Sequence, residues 1–189
     1  MIGYSRVKKV ILGTEDPTER KIRFMALLTS SLPKGRRRPI LAGGSAIEVY
    51  LDGTLRTGDM DIVYHVQALE AVLSAWRFSL GGGLRAWANE ELGLAVDMVG
   101  EDYSGSYERV TTITTEYGPA TIMGIEDLIV KRLGSAKLWK VPTDIEQAFL
   151  LAKAHDDKID WNYVRDECRK ADTDDYMAKL KEMLAKEEK

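Results

Sequence analysis

Apolar and polar residues follow two different periods along the chain, and the change of period divides it. Up to about residue 124, short apolar runs typical of strands alternate with segments of helical period. Beyond that point each segment has the 3.6-residue period of an amphipathic helix, as Ile145, Ala148, Phe149 and Ala152 illustrate. The pattern predicts an α+β unit over residues 1–124 and a helical extension over residues 125–189.

The first unit contains predicted helices and strands in mixed order. A helix is expected to begin with Asp16 as N-cap and Pro17 at its first position, with Glu19 completing a capping box, and to end at Pro33. The opening run "RVKKVIL" is compatible with either a strand or a helix, and both stay open. The other predicted elements are a strand "PILAGG", a helix "SAIEVYL", a strand "MDIVYHV", a helix "QALEAVLSAW", a hairpin "LRAWANEELGLAVDMVG" and a strand pair "RVTTITTEYGPATIMG" turning at Tyr117-Gly118-Pro119.

The second unit is expected to be entirely helical. Its four amphipathic segments are "IEDLIVKRLGSAKLW", "PTDIEQAFLLAKAHDD", "DWNYVRDECRKAD" and "TDDYMAKLKEMLAKEEK". The four tryptophans of the chain are expected to serve packing: Trp76, Trp87, Trp139 and Trp161.

Composition narrows the class of protein. The chain has 189 residues, 44% of them apolar and 30% charged, as in a globular domain. No run of eighteen apolar residues is present, and the N-terminal apolar segment is too short for a secretory signal. The lone Cys168 excludes an internal disulfide and a cysteine-based zinc site. We therefore expect a cytoplasmic protein without a membrane span.

The net charge of −3 is unevenly distributed. Residues 1–40 hold ten Lys/Arg against three Asp/Glu, a balance of +7. Part of this excess is the cluster "PKGRRRP", with Lys34, Arg36, Arg37 and Arg38. Such a cluster attracts phosphates or nucleic acid, or it is a solvated loop, and both interpretations stay open. A pI near 5.5 argues against a dedicated nucleic-acid coat protein.

Two aspartates stand at the start of an apolar strand pattern, in "GDMDIV". Because alternate residues of a strand share a face, Asp59 and Asp61 point the same way while Met60 points inward. Paired carboxylates repel each other unless a cation lies between them, and hard cations such as Mg²⁺ prefer oxygen ligands. Asp97 in "LAVDMVG" is a third candidate ligand, because an apolar strand rarely carries an unpartnered aspartate. The alternative for Asp97 is a strand-end aspartate that faces water.

A glycine pair precedes the predicted helix that leads to these aspartates. Gly43 and Gly44 allow close approach of the backbone to a ligand, and the helix N-terminus offers free amide donors to a phosphate. Ser45 adds a hydroxyl. Alone, this stretch is equally an ordinary helix start; its position one helix and one turn before Asp59 strengthens the phosphate-binding interpretation.

The order of "LAGGSAIEVY", "RTGDMDIV" and "AVDMV" resembles the nucleotidyltransferase superfamily of the DNA polymerase β type, over about residues 38–100. It is most similar to small prokaryotic nucleotidyltransferase-like proteins, including relatives of AbiEii-type toxins. The segment "IMGIEDLIVKRLGSAKLWKVPTDIEQAFLL" resembles the helices that follow the core in those proteins. The resemblance implies an α+β nucleotidyltransferase-like core with a small mixed β-sheet, followed by a helical C-terminal extension.

The resemblance also implies a reaction, in which a nucleoside monophosphate moves from an NTP, such as ATP, to an acceptor and pyrophosphate is released. By this resemblance Gly44 and Ser45 would hold the β- and γ-phosphates beside Gly43. Asp59 and Asp61 would ligate two Mg²⁺ ions, with Mn²⁺ as an alternative. Asp97 would ligate the catalytic ion and help to activate the acceptor hydroxyl.

Two basic residues are further candidates for binding the triphosphate. Arg56 lies just before the aspartate pair, and Lys131 matches the lysine of the helix after the core. For each, an ordinary surface charge or helix ion pair is an equal alternative. The acceptor stays open between RNA, including tRNA ends, a protein hydroxyl and a small molecule.

Other functional classes compete with this hypothesis. An EF-hand loop lacks its series of oxygen ligands here, and no G-x-G-x-x-G marks a dinucleotide site. A metal-dependent glycosyltransferase normally has a larger α/β half before its aspartate pair than the 58 residues present. The serious alternative is a protein of the same fold that acts as a toxin–antitoxin component or binding partner without catalysis. The oligomeric state stays open.

Overall fold

The computed structural model describes residues 1–35, 37–81 and 85–187. It confirms the predicted α+β fold class with a helical C-terminal part. The chain divides into two compact units, Met1–Met123 and Gly124–Lys189, one residue before the predicted boundary. Arg36 of the basic cluster and Leu84 of the predicted hairpin lie outside the described residues. No helix of the described residues is long and apolar enough to cross a membrane.

The first unit contains four helices and seven strands among its described residues. The helices are α1 (Tyr4–Leu12), α2 (Pro17–Ser31), α3 (Gly43–Tyr50) and α4 (Val66–Ala75). The strands are β1 (Ile40–Ala42), β2 (Met60–Val63), β3 (Ser79–Leu80), β4 (Ala86–Asn89), β5 (Leu94–Gly100), β6 (Thr111–Thr115) and β7 (Gly118–Ile122).

The strands form one mixed sheet in the order β3-β4-β5-β2-β1-β7-β6. Strand β2 runs parallel to β5, and β1 runs parallel to β7, while the other neighbours are antiparallel. Because β1 and β2 are central, the ends of these two strands meet in the middle of the sheet. The residues just after β1 and just before β2 therefore become neighbours.

Helix α2 begins as its sequence predicts. The Asp16 carboxylate accepts a hydrogen bond from the Glu19 backbone amide at 2.7 Å, and Pro17 occupies the first position. The Glu19 side chain instead pairs with Arg23, at 2.7 Å. The opening run, left undecided by its pattern, is the helix α1.

Two boundaries differ from the sequence prediction. Gly43 and Gly44 belong to the first turn of α3 and not to the preceding strand. The β6–β7 hairpin turns at residues 116–117, because Thr115 pairs with Gly118. Gly118 adopts a φ of +126°, which glycine tolerates. The turn thus falls one residue before the predicted position.

One face of the sheet carries the main core of the first unit. Its central side chains are at most 1% exposed: Leu41, Met60, Ile62, Val96, Met98 and Ile122. Phe24 of α2 and Trp76 after α4 pack edge to face at 5.6 Å between ring centroids. The Trp76 indole N–H donates to the Ile2 carbonyl at 2.9 Å, which satisfies the buried polar atom.

The second unit consists of α5 (Ile125–Trp139), α6 (Pro142–His155), a short 3₁₀ helix (Asp156–Lys158), α7 (Trp161–Lys170) and α8 (Asp174–Glu187). These are the four predicted amphipathic helices. Cys168 is buried in α7, and this burial raises the pKa of its thiol. The packing role predicted for Trp139 is wrong, because its side chain is 74% exposed.

Candidate functional site

Asp61 and Asp97 lie side by side on the neighbouring parallel strands β2 and β5. Asp61 in β2 pairs in register with Asp97 in β5. Residues paired in this way project from the same face of the sheet, and both side chains are partly buried. The flanking strands place alanines in the same row, Ala42 opposite Asp61 and Ala86 opposite Asp97. Both carboxylates therefore have a small side chain as their outer neighbour in this row.

The Asp61 carboxylate lies against the first residue of α3. Gly43 has a φ of +56°, and a Cβ placed on it would come within 1.7 Å of Asp61 Oδ2. Any residue with a side chain at position 43 would therefore clash with Asp61 in its observed position. Since the amides of a helix N-terminus lack intrahelical partners and carry the positive end of the dipole, this end of α3 favours anions.

Asp59 stands one residue before β2, and it is exposed. Its backbone carbonyl accepts hydrogen bonds from the Ser45 hydroxyl and, at 3.3 Å, from the Thr57 hydroxyl. Ser45 itself is 0% exposed. The Ser45 hydroxyl thus positions the backbone of Asp59. A contact from Ser45 to a bound ligand would have to come from its backbone amide.

A buried ion pair supports the segment that leads to Asp59. The side chains of Lys21 in α2 and Glu48 in α3 are 7% and 1% exposed, and Lys21 Nζ lies 2.6 Å from Glu48 Oε2. Lys21 also donates to Ser45 Oγ at 3.1 Å and to the Thr57 carbonyl at 2.8 Å. The Thr57 backbone amide donates to Glu48 Oε2 at 3.0 Å. The buried ion pair therefore links α2, α3 and the segment before β2.

The network keeps Glu48 ionised. Burial by itself raises the pKa of Glu48, but hydrogen bonds from Lys21, Thr57 and Thr18 outweigh burial and hold that pKa below its usual value of 4.5. Sequence reasoning missed both members of the ion pair. The sequence did contain a signal for Lys21. Lys21 stands three and four residues before Phe24 and Met25, so it lies on the buried face of α2, where a positive charge requires a partner.

The other predicted site residues divide between the two units. Gly44 approaches the segment before β2 so closely that a Cβ on it would lie 2.5 Å from Thr57 Cγ2. Arg56 is exposed within that segment. Lys131 is exposed on α5, in the second unit.

Within the described residues, no three His, Cys, Asp or Glu side chains are grouped so that they could hold a metal ion. Asp61 and Asp97 nevertheless provide two carboxylates, and Mg²⁺ prefers such oxygen ligands. Asp59 lies just before β2, the strand that carries Asp61. The absent Cβ of Gly43 gives the Asp61 carboxylate its place beside the helix N-terminus. This chemistry suits a divalent cation with a phosphate ligand.

Searches against protein-family models, curated proteins and solved structures find no match to this chain. The motifs of the chain and the geometry around Asp61 and Asp97 are therefore the basis for inferring its function.

Proposed function

We propose that the chain is a Mg²⁺-dependent nucleotidyltransferase of the DNA polymerase β type, which transfers a nucleoside monophosphate from an NTP to an acceptor hydroxyl. The observation that carries the proposal is the register of Asp61 with Asp97, on one face of the sheet and beside the N-terminus of α3. The motif order "LAGGSAIEVY", "RTGDMDIV" and "AVDMV" supports it.

Each group near this row has a role in the proposed reaction. Backbone amides of Gly44 and Ser45 bind the β- and γ-phosphates at the helix N-terminus. The acceptor oxygen bonds to the α-phosphorus, its proton passes to the Asp97 carboxylate, and the bond from the α-phosphorus to the pyrophosphate oxygen breaks. Asp61 and Asp97, with Asp59, would hold Mg²⁺, whose positive charge would offset the negative charge of the phosphates.

The two basic candidates have smaller roles in the proposal. Arg56 is exposed in the segment before Asp59, where it adds positive charge for the triphosphate. Lys131 lies in the second unit and is a candidate by the resemblance alone. Neither is required by the geometry of the row.

The test is transfer of label from each of the four NTPs, with Mg²⁺ or Mn²⁺, to total cellular RNA or protein. Asp61→Asn and Asp97→Asn should each reduce transfer by on the order of a hundredfold or more, because each removes charge that faces the phosphates. Asp52→Asn is the matched control: Asp52 is exposed in the same unit, and its φ of +48° suits asparagine. Full transfer by either site variant would refute the carboxylate assignment.

A second candidate function is that of a toxin–antitoxin component or binding partner without catalysis. The observation that favours it is the exposure of apolar side chains in the second unit, where Leu138 and Trp139 are each 74% exposed and Val141 is 39% exposed. Thermal unfolding separates the two functions. Mg²⁺-NTP at 100 times its dissociation constant should stabilise an NTP-binding protein by about 2.7 kcal/mol. No stabilisation together with no transfer would favour the binding role.

A further inference from the structure

A small cavity in the first unit is lined by cationic and hydroxyl side chains that the proposed reaction does not use. This arginine cavity has a volume of about 140 Å³, and its polar lining comes from Arg37, Arg38, Tyr107, Thr112 and Thr121. The Arg37 guanidinium stacks on the Tyr107 ring at 4.0 Å from its centroid. No acidic side chain of the described residues lines the cavity.

The Thr121 hydroxyl is an orphaned donor in this cavity. Thr121 is 3% exposed, and its Oγ1 has no hydrogen-bond partner among the described residues. A buried hydroxyl without a partner destabilises the folded state unless a ligand supplies one. Glu101 and Asp102 line the adjoining pocket that shares Arg37 and Arg38, but no ion pair of either arginine is found within the described ranges, so both guanidinium groups can donate to that ligand. The matching ligand is an anion that accepts hydrogen bonds, above all a phosphate group.

The cavity opens on the sheet face that carries the carboxylates. Ile40 pairs with Thr121 on one side and with Val63 on the other. Ile40 also stands two residues before Ala42, the partner of Asp61, and alternate residues of a strand share a face. Thr121 and Asp61 therefore project from the same face, offset by two residues or about 7 Å along the strands and by two strand spacings, about 10 Å, across them.

We propose that the arginine cavity binds a backbone phosphate of a single nucleic-acid strand. The cavity is open but small, at about 140 Å³, so it accommodates one phosphate of an extended strand and not the broad surface of a duplex. The strand is thereby held on the face where Asp61 and Asp97 lie. The identification of this strand as the acceptor rests on the proposed function. The binding of the strand to the cavity does not depend on that function.

Binding is measured by fluorescence anisotropy of a labelled single-stranded RNA of about twelve nucleotides with the full chain, over a series of salt concentrations. Arg37→Gln with Arg38→Gln should weaken binding at least about tenfold and make the slope of log K against log salt shallower by about 0.7, since the cavity holds one phosphate and each lost phosphate contact contributes about 0.7. Arg77→Gln is the matched control, because it also removes an arginine stacked on a tyrosine, Tyr4, at 4.7 Å.

Thr121→Val separates binding from folding. Valine keeps the branched shape and removes only the unpartnered hydroxyl, so the unfolding temperature should stay equal or rise while affinity for the RNA falls about two- to tenfold. The proposal is overturned by an unchanged affinity in the Arg37/Arg38 variant, by equal losses in that variant and in Arg77→Gln, or by a twelve-nucleotide duplex that binds as tightly as the single strand. It is also overturned if inorganic phosphate competes as strongly, per phosphate, as the RNA.

Label transfer, measured on the same samples, distinguishes the two proposals. RNA binding that depends on Arg37 and Arg38, without label transfer to RNA and without transfer to cellular protein or small molecules added to the same samples, would refute the nucleotidyltransferase function and support the cavity as a binding site. Transfer to RNA that is insensitive to both arginines would support the function and refute the cavity.

Discussion

Replacing Gly43 with alanine should destabilise the first unit, and it should do so through Asp61. The backbone at Gly43 has a φ of +56°, a left-handed conformation that costs an alanine about 1–2 kcal/mol. The new Cβ would also lie 1.7 Å from Asp61 Oδ2 and 2.6 Å from Asp61 Cγ. Because atoms cannot approach so closely, either the carboxylate or the start of α3 must move.

The expected magnitude is the sum of these two effects. Overpacking of a tight site typically costs about 1–3 kcal/mol, so Gly43→Ala should lower the free energy of unfolding by about 2–5 kcal/mol in total. Gly93 offers a control for the backbone effect alone, since its φ is +62° and a Cβ there would meet nothing within 4 Å. Gly93→Ala should therefore cost about 1–2 kcal/mol.

Urea unfolding at neutral pH measures both variants, and a double-mutant cycle with Asp61→Ala isolates the contact. Asp61→Ala removes the two closest atoms and leaves only the Asp61 Cβ, at 3.1 Å from the position of the new methyl group. In that background Gly43→Ala should cost little more than Gly93→Ala does in the wild type. If Gly43→Ala costs the same with and without the Asp61 carboxylate, the placement of Asp61 against α3 is wrong.

The remaining predictions concern the buried ion pair and the cap of α2. Lys21→Met should lower the free energy of unfolding by about 3–5 kcal/mol, because it leaves a buried Glu48 charge without its partner. In urea unfolding, the double variant Lys21→Met with Glu48→Gln should regain much of this lost stability. If it regains none, the ion-pair account is contradicted. The lowered pKa of Glu48 contributes stability that is present above its unfolded pKa near 4.5 and lost as the pH falls through the folded value. Urea midpoints measured down to about pH 3 should thus fall less steeply in the double variant than in the wild type. Asp16→Ala should cost about 1 kcal/mol by removing the acceptor of the Glu19 amide, while Asp16→Asn, which keeps an acceptor, should cost a few tenths in the same assay.

Much of this fold follows from local patterns in the sequence. The cap at Asp16 and the proline at position 17 begin α2, and the period change near residue 124 separates the two units. Strand alternation in "MDIV" places Met60 inward at 0% exposure and leaves Asp61 on the other face. Each of these features depends on neighbours within a few residues, so the sequence alone is sufficient to predict it.

The pairing of distant segments could not be predicted in the same way. Nothing near Asp97 in the sequence specifies that it aligns with Asp61, thirty-six residues earlier, because strand register is determined by packing of the whole sheet. The same limit applies to Lys21 and Glu48, which meet only after α2 and α3 have packed. The Thr121 hydroxyl lacks a hydrogen-bond partner because of how distant segments pack around it, which the local sequence does not specify either.

The carboxylate row and the N-terminus of α3 are held together by residues that need not touch a ligand. Gly43, the first residue of α3, has no side chain, and this allows the Asp61 carboxylate to lie against the start of the helix. Two residues later, the buried Ser45 hydroxyl holds the Asp59 carbonyl, and Lys21 in turn donates to Ser45. The spacing between the helix amides and the aspartates is therefore determined before any ligand binds. The proposed reaction, which aligns a triphosphate with an acceptor, would gain from such preorganisation, because a ligand that binds need not spend binding energy on ordering the protein.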